Sequence, residues 1–238
     1  MFRKTLIAVT AVAALLCLSS MASAQTVDEI IAKNMAAKGG LEKLKGIQTM
    51  RTVGTMTSQG QPSVQMTFIS KRPNLSRQEI VMGAQTMVMV FDGTRARMIN
   101  PMMGPTPIDM PAEQVEMIKD QSDIDGPLVD YKAKGYLIEL VGVETLDTKK
   151  VFHLRVTRKL LPVQDLYLDG VTYLEAKMST MVPGSGVIET VFGDYRQVDG
   201  MTMPFSVKNV AAGMTLSEMK LSRIEVNQNV NDSVFTIK

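Results

Sequence analysis

The chain has 238 residues, a formal net charge of +2 and 5% aromatic residues, with one cysteine, one histidine and no tryptophan. Nucleic-acid binding needs a concentrated basic face with stacking aromatic side chains. The sequence contains no long run of basic residues, so this class is excluded. One histidine and one cysteine leave little with which to build a zinc site, and we predict neither a metal nor a cofactor.

Residues 1–24 are typical of a secretory signal peptide. Two basic residues precede an apolar run from Thr5 to Leu18, and the sequence Ala-Ser-Ala at 22–24 matches a cleavage site. The run is short for a membrane-spanning helix. We therefore expect an exported, periplasmic protein that begins at Gln25. Cleavage would also remove Cys17, which leaves a chain without disulfides or a thiolate nucleophile.

The mature N-terminus is predicted to be an amphipathic helix. Thr26 and Glu29 have the spacing of a capping box, apolar residues follow at helical spacing, and Gly39-Gly40 is typical of a helix end. A turn through residues 41–45 is expected to lead into the first strand near Ile47.

From Ile47 onward the pattern predicts mainly strands, separated by turns that are too short for crossover helices, so neighbouring strands should be antiparallel. A proline-rich loop at 101–107 and a short helix opened by Pro111 interrupt them, and a last strand is expected at 233–237. These elements predict an α+β, mainly β fold: a single domain at 25–238 with one strongly curved antiparallel sheet and a few helices on one face.

The sequence offers little support for an enzyme. His153 lies on the polar face of its strand, and no Gly-x-Ser-x-Gly motif supplies a nucleophile for a triad. The acidic residues near Gly126 are better explained by turns and helix caps than by a calcium loop. We predict no catalysis, and a hydrolase that depends on Asp123, Asp125 and His153 is the weakly supported alternative.

Methionine is the unusual component, with 20 residues in the chain. Its flexible, polarisable side chain suits apolar surfaces that accept variable shapes, although core filling is the simpler explanation. One strand, near residues 85–91, is apolar on both faces, which requires something to cover each side. The loop at 101–107 is interpreted either as a lid over an apolar cavity or as a connection that places Met102 and Met103 in the core.

Five motifs, spread over nearly the whole mature chain, resemble those of the LolA/LolB-like superfamily, in particular the outer-membrane lipoprotein-sorting proteins. In chain order they are residues 39–44, 91–93, 125–131, 167–169 and 194–200. The resemblance implies a half-barrel of about ten to eleven strands whose concave face is covered by helices and encloses an apolar cavity. It also implies that the protein holds the acyl chains of lipids or lipoproteins and carries them through the periplasm toward the outer membrane.

The expected partners are therefore acyl chains, together with a partner protein at the inner or outer membrane. The residues predicted to line the cavity are Met56, Met66, Phe68, Met87, Met89, Phe91 and Met98, with Met102 and Met103 on the lid. Two alternatives stay open. One is a module that senses lipid or lipoprotein, or binds a protein of the cell envelope, without transfer; the other is a purely structural envelope protein with a filled core.

Overall fold

The computed structural model describes residues 25–237, so the predicted signal peptide lies outside the described residues. Thirteen antiparallel strands form one sheet that does not close into a barrel. The strands are β1 Thr49–Ser58, β2 Val64–Lys71, β3 Leu75–Met82, β4 Gln85–Phe91, β5 Ala96–Ile99, β6 Ile108–Asp109, β7 Leu137–Leu146, β8 Lys149–Thr157, β9 Gln164–Asp169, β10 Glu175–Val182, β11 Gly186–Val198, β12 Met201–Ala211 and β13 Met214–Val226. Among these residues, no helix is both long and apolar enough to cross a membrane.

The strand order explains the curved shape. It runs β6-β5-β4-β3-β2-β1-β13-β12-β11-β10-β9-β8-β7. Consecutive strands therefore pair, except β6 and β7, which lie at opposite edges, and the first and last strands pair in the centre. We call β1–β6 the first wing and β7–β13 the second wing. Sheets twist by roughly 20° per strand, and thirteen strands therefore curl into the expected half-barrel. The sheet has two or three strands more than the resemblance implied.

Tight turns allow this meander. Asp199 and Gly200, between β11 and β12, have φ values of 48° and 74°, the left-handed pair that a two-residue type I′ hairpin requires. The Asp-Gly sequence therefore fixes the antiparallel register that begins with the pairing of Val198 and Met201. The predicted antiparallel pairing is confirmed throughout the sheet.

Three α-helices pack against the sheet: α1 Val27–Ala37, α2 Leu41–Lys45 and α3 Ala112–Gln121. The predicted capping box is present in α1, where the Thr26 hydroxyl accepts from the Glu29 backbone N–H and the Glu29 carboxylate accepts from the Thr26 N–H. A Cβ atom at Gly39 would lie 2.6 Å from the Gly200 carbonyl oxygen, so α1 can approach the β11–β12 turn only because this position has no side chain. The prediction of a simple turn at 41–45 was wrong, since these residues form α2.

The helices divide the apolar core into two clusters on the concave face. The larger cluster joins α1 and α2 to the second wing and the central strands, and it includes Ile30, Leu154, Leu168 and Phe205. The smaller cluster lies in the first wing, where Ile118 of α3 packs on the sheet. The helices therefore cover the concave face, as the sequence predicted. The helix α3 lies in the segment that connects β6 with β7, the two outermost strands of the sheet.

The C-terminal segment crosses the opposite, convex face of the first wing. The predicted last strand was wrong: residues Asp232–Phe235 form a 3-10 helix whose Phe235 is fully buried. Arg77 donates to the carbonyl of Val234, and Arg97 donates to that of Ile237. Both arginines pair across the ladder with Val90. The convex face of β4, which the sequence pattern required to be covered, is therefore covered by the chain itself.

Candidate functional site

The sheet brings seven of the nine predicted lining residues onto one face. Directly paired residues share a face in an antiparallel sheet, and the pairings link Met66 through Ile80 to Met87, and Phe68 through Gln78 to Met89 and Met98. The seven that share the concave face are Met56, Met66, Phe68, Met87, Met89, Phe91 and Met98. This face is the one that α3 covers. The first wing thus presents a methionine-rich apolar surface to the inside of the half-barrel.

A cavity of about 220 Å³ lies between this surface and α3, and we call it the α3 cavity. Its lining residues are Thr52, Met66, Phe68, Ser76, Gln78, Met89, Ile118, Gln121, Ser122 and Met219. Among its polar side chains, the Gln78 amide donates to the sulfur of Met66, and the hydroxyls of Ser76 and Ser122 bond to each other at 2.7 Å. Thr52 and Gln121 complete the polar part of the lining. The remaining surface is apolar and adaptable, because methionine can change its rotamers at low cost.

A second cavity, of about 210 Å³, lies between α2 and the central strands, and we call it the α2 cavity. It is lined by Lys38, Leu44, Ile47, Met50, Thr52, Ile124, Asp125, Thr202, Met203, Pro204, Val207, Leu221 and Ile224. Apolar side chains dominate this list. The charged groups come from Lys38 of the α1 C-cap and from Asp125, and Thr52 and Thr202 add two hydroxyls. The cavity therefore continues the apolar interior from the first wing into the second.

Thr52 is the residue that both cavities share. It pairs with Phe68 of β2 on one side and with Ile224 of β13 on the other, so it stands at the middle of the sheet. Each cavity alone falls below the range of about 300–1,000 Å³ that is usual for ligand pockets. Joined past Thr52, the two would reach that range and form one elongated space under the helices.

Only three of the predicted lining residues, Met66, Phe68 and Met89, line the α3 cavity. Met56, Met87 and Met98 share the concave face but line neither cavity.

The other three predicted site residues take different positions. Phe91 is fully buried with Ala96 and Ile118 beneath α3, where it fills the core and lines neither cavity. Met102 and Met103 are 81% and 68% exposed on the loop between β5 and β6. Neither methionine lines the α3 cavity or the α2 cavity, and neither lies in the buried core.

A larger cleft, of about 740 Å³, lies beyond the end of α3, and its charged residues distinguish it from the two cavities. Arg72 of the β2–β3 turn forms a bidentate pair with Asp125, with N–O distances of 2.5 and 2.6 Å. The hydrogen bond from Arg72 holds the pKa of the Asp125 carboxyl below its usual value. Lys134 pairs with Asp123, and Arg158 with Asp120. The Arg72 pair thus joins the segment after α3 to the first wing, and the Arg158 pair joins α3 to the second wing, while the Lys134 pair lies within the segment.

His153 occupies the convex face, as its strand position predicted, but it is buried. Its Nδ1 lies 2.6 Å from a carboxylate oxygen of Glu144 and its Nε2 lies 2.9 Å from one of Asp165, while its ring stacks on Tyr167. Both ring nitrogens are therefore engaged in an ion-pair network of three neighbouring strands. Within residues 25–237 no group of three or more histidine, cysteine or acidic residues has the arrangement of a metal site.

Solved structures share this fold. An outer membrane lipoprotein-sorting protein domain from Vibrio parahaemolyticus is similar over 87% of this chain and 94% of its own, with a TM-score of 0.61 and 13% identity. A LolA superfamily protein from Nitrosomonas europaea is similar over 90% of this chain and 99% of its own, with a TM-score of 0.60 and 14% identity.

A DUF1329 family protein from Desulfovibrio piger is similar over 90% of this chain and 98% of its own, with a TM-score of 0.63 and 12% identity. No family model matches the chain, and no curated protein sequence does. At these identities the similarity establishes the fold. The chain therefore has the fold of LolA superfamily proteins, which confirms the resemblance found in its sequence motifs.

Proposed function

We propose that the protein binds acyl chains of lipids or lipoproteins in the α3 and α2 cavities and carries them through the periplasm toward the outer membrane. The observation that carries this proposal is the concave face of the first wing. Seven apolar residues, five of them methionines, share that face beside two cavities that meet at Thr52. A lining of flexible thioethers suits chains that differ in length and unsaturation.

The physical task of such a carrier is to keep methylene groups out of water. Each buried methylene contributes about 0.8 kcal/mol, so eight of them supply roughly 6 kcal/mol before the costs of ordering the chain. Two neighbouring cavities of 220 and 210 Å³ that share Thr52 in their lining suit an extended, flexible ligand better than a compact one. No covalent chemistry is required of the protein.

We propose that an acyl chain enters the α3 cavity beneath the N-terminal end of α3. Only Ile118 of this helix is buried, whereas α1 buries Ile30, Ile31, Asn34 and Met35. The N-cap residue of α3, Pro111, makes no side-chain capping hydrogen bond. Besides Ile118, the N-terminal end of the helix is held by the partly buried side chains of Met110 and Val115 and by the Met110 N–H, which donates to the Ala96 carbonyl. Its C-terminal end is fastened by the buried hydroxyl pair of Ser122 and Ser76. Lifting the N-terminal end would therefore open the α3 cavity while the helix stays attached.

Location in the periplasm is part of the proposal and rests on the signal-like pattern of residues 1–24. Transfer to an acceptor membrane separates a carrier from a sensing module, because a sensor would retain its ligand. A loaded protein mixed with acceptor vesicles would lose its acyl chain to them if it is a carrier.

The binding step is tested with a fluorescent fatty acid such as dansylundecanoic acid. We expect the wild-type protein to increase the probe's emission and the double substitution Met66→Asp with Met89→Asp to abolish the increase, since both side chains line the α3 cavity. The matched control is Gln65→Asp, an exposed position next to Met66 whose side chain lies on the convex face. Equal probe binding by the double variant and the control would overturn the proposed cavity.

A further inference from the structure

At one end of the strands, five neighbouring loops carry no charged side chain. We call this row of loops the uncharged edge. Cross-strand pairing places the loops side by side: β5–β6, β3–β4, β1–β2, β12–β13 and β10–β11. The charge-free stretches are residues 98–108, 80–91, 52–70, 209–217 and 178–188. With 21% of the whole chain charged, each stretch would ordinarily carry about two or more charges.

Exposed apolar side chains stand on the tips of these loops. The residues concerned are Val81, Met102, Met103, Met181, Val187, Met214 and Leu216, all of them more than a third exposed. None of them lines the α3 cavity or the α2 cavity. The remaining residues of these tips are Gly, Pro, Ala and uncharged polar residues, together with the apolar Met82 and Val182. The tips therefore form an apolar surface that is separate from the interior of the half-barrel.

The opposite edge of the sheet has the reverse character. Its five turns carry Arg72, Asp92, Asp147, Asp169 and Asp199. The absence of charge is thus confined to one end of the strands and is not a property of all hairpin turns in this protein. The row of uncharged loops ends after the β10–β11 loop, because the neighbouring loop between β8 and β9 begins with Arg158 and Lys159.

We propose that the uncharged edge docks on the surface of a lipid bilayer. Apolar side chains of Met, Val and Leu can enter the boundary between headgroups and acyl chains, whereas each charge there is costly. A protein partner would be expected to meet Arg, Tyr or Trp at the centre of its binding site, and the five stretches contain none of these residues.

The distance from the last charged residues to the loop tips limits how deeply the tips can enter the bilayer. Lys208 and Glu218 pair with each other across β12 and β13 and are the last charged residues before that hairpin tip. Three to four residues of each strand extend beyond them, which is roughly 10–13 Å at the rise of a β-strand. Interfacial segments enter a bilayer by about 5–10 Å, so the tip can insert while both charges stay in water.

The chain has no tryptophan, so one introduced tryptophan reports on its own position. We would compare Met214→Trp, on the uncharged edge, with Val171→Trp, on an exposed turn of the opposite edge. With neutral phosphatidylcholine vesicles at high salt, the emission of the first variant is expected to move to shorter wavelength and to be quenched by brominated lipid. The emission of the second should not change. No change in either variant, or equal quenching in both, would overturn the proposal.

A second pair of variants tests docking without the added aromatic ring. Vesicle flotation of Met102→Asp with Met103→Asp is expected to show about tenfold weaker partitioning than wild type, while Val171→Asp partitions like wild type. Binding that needs anionic lipid and disappears at high salt would assign docking to basic residues and overturn the proposal.

The fatty-acid probe separates this inference from the proposed function. The Met102→Asp with Met103→Asp variant should bind the probe as wild type does, because neither residue lines a cavity. Loss of vesicle binding with retained probe binding supports the uncharged edge as a surface of its own. Weak binding of the probe by the wild-type protein would count against the proposed acyl-binding cavities. Docking of the uncharged edge would then be judged from the vesicle experiments alone.

Discussion

A phenylalanine at position 52 should divide the proposed ligand site in two. Thr52 is the lining residue that the α3 and α2 cavities share, and its side chain lies on the concave face between Phe68 and Ile224. Thr52→Phe places a ring at the junction without changing any other lining residue. Thr55→Phe is the matched control, since Thr55 is exposed and pairs with Gln65 on the convex face.

The expected loss follows from the methylenes that no longer reach the second cavity. If four methylenes of a long acyl chain extend past Thr52, their exclusion costs about 3 kcal/mol at 0.8 kcal/mol each. A difference of that size weakens binding more than a hundredfold. A short chain that fits within one cavity of about 220 Å³ should be affected far less.

The assay is displacement of the fluorescent fatty acid by saturated fatty acids of increasing length. We expect Thr52→Phe to bind hexadecanoate more than a hundredfold more weakly than wild type and octanoate with similar affinity, while Thr55→Phe resembles wild type with both. Overpacking can cost about 1–3 kcal/mol of stability, so the melting temperature of each variant is measured in parallel. Equal loss for both chain lengths in a well-folded variant, or no loss at all, would refute a continuous site past Thr52.

Three further predictions concern the scaffold of the site. Phe91→Ala should lower the free energy of unfolding by about 3–5 kcal/mol, because the ring is 1% exposed beneath α3; a loss below 1 kcal/mol in urea titrations would contradict this packing. Asp125→Asn should cost roughly 1.5–3 kcal/mol at neutral pH. Because Arg72 holds the pKa of Asp125 below its unfolded value, this contribution is present above the unfolded pKa and is lost as the pH falls through the folded one. Urea titrations across that range should show the stabilities of variant and wild type converging in acid, and a constant difference would speak against the ion pair. Gly39→Ala should destabilise by about 1–3 kcal/mol, because its φ is 115° and a Cβ would lie 2.6 Å from the Gly200 carbonyl oxygen; an unchanged melting temperature would show that α1 sits farther from the sheet.

Much of the fold was accessible from the sequence because it is encoded locally. The capping pair Thr26 and Glu29 gave the start of α1, and Asp199-Gly200 gave a hairpin. The strands alternate or run continuously apolar between clear turn signals. The 3-10 helix at Asp232–Phe235 was misassigned because residues 234–237 are all β-branched or aromatic, which favours a strand. Its conformation depends on a contact of Val234 with distant Arg77.

The face of the candidate site was also predictable, whereas its boundaries were not. Strand parity grouped Met66 with Phe68 and Met89 with Met87. The pairing register places both groups on one surface, and Met66 and Met89 line the α3 cavity. Phe91 lies on the same face of its strand as Met89, but it packs against Ile118 of α3 and therefore belongs to the core. This contact joins two separate elements of the chain. The exposure of Met102 and the sharing of Thr52 by two cavities depend on where α3 crosses the sheet, which no local pattern reveals.

The most direct test of the acyl-carrier account is native mass spectrometry of the protein purified from the periplasm that produces it, followed by lipid extraction of any adduct. The account predicts a bound phospholipid, fatty acid or lipidated peptide whose signal is lost in the Met66→Asp with Met89→Asp variant and kept in Gln65→Asp. A protein that shows only its own mass, and that also fails to bind fatty-acid probes, would contradict it.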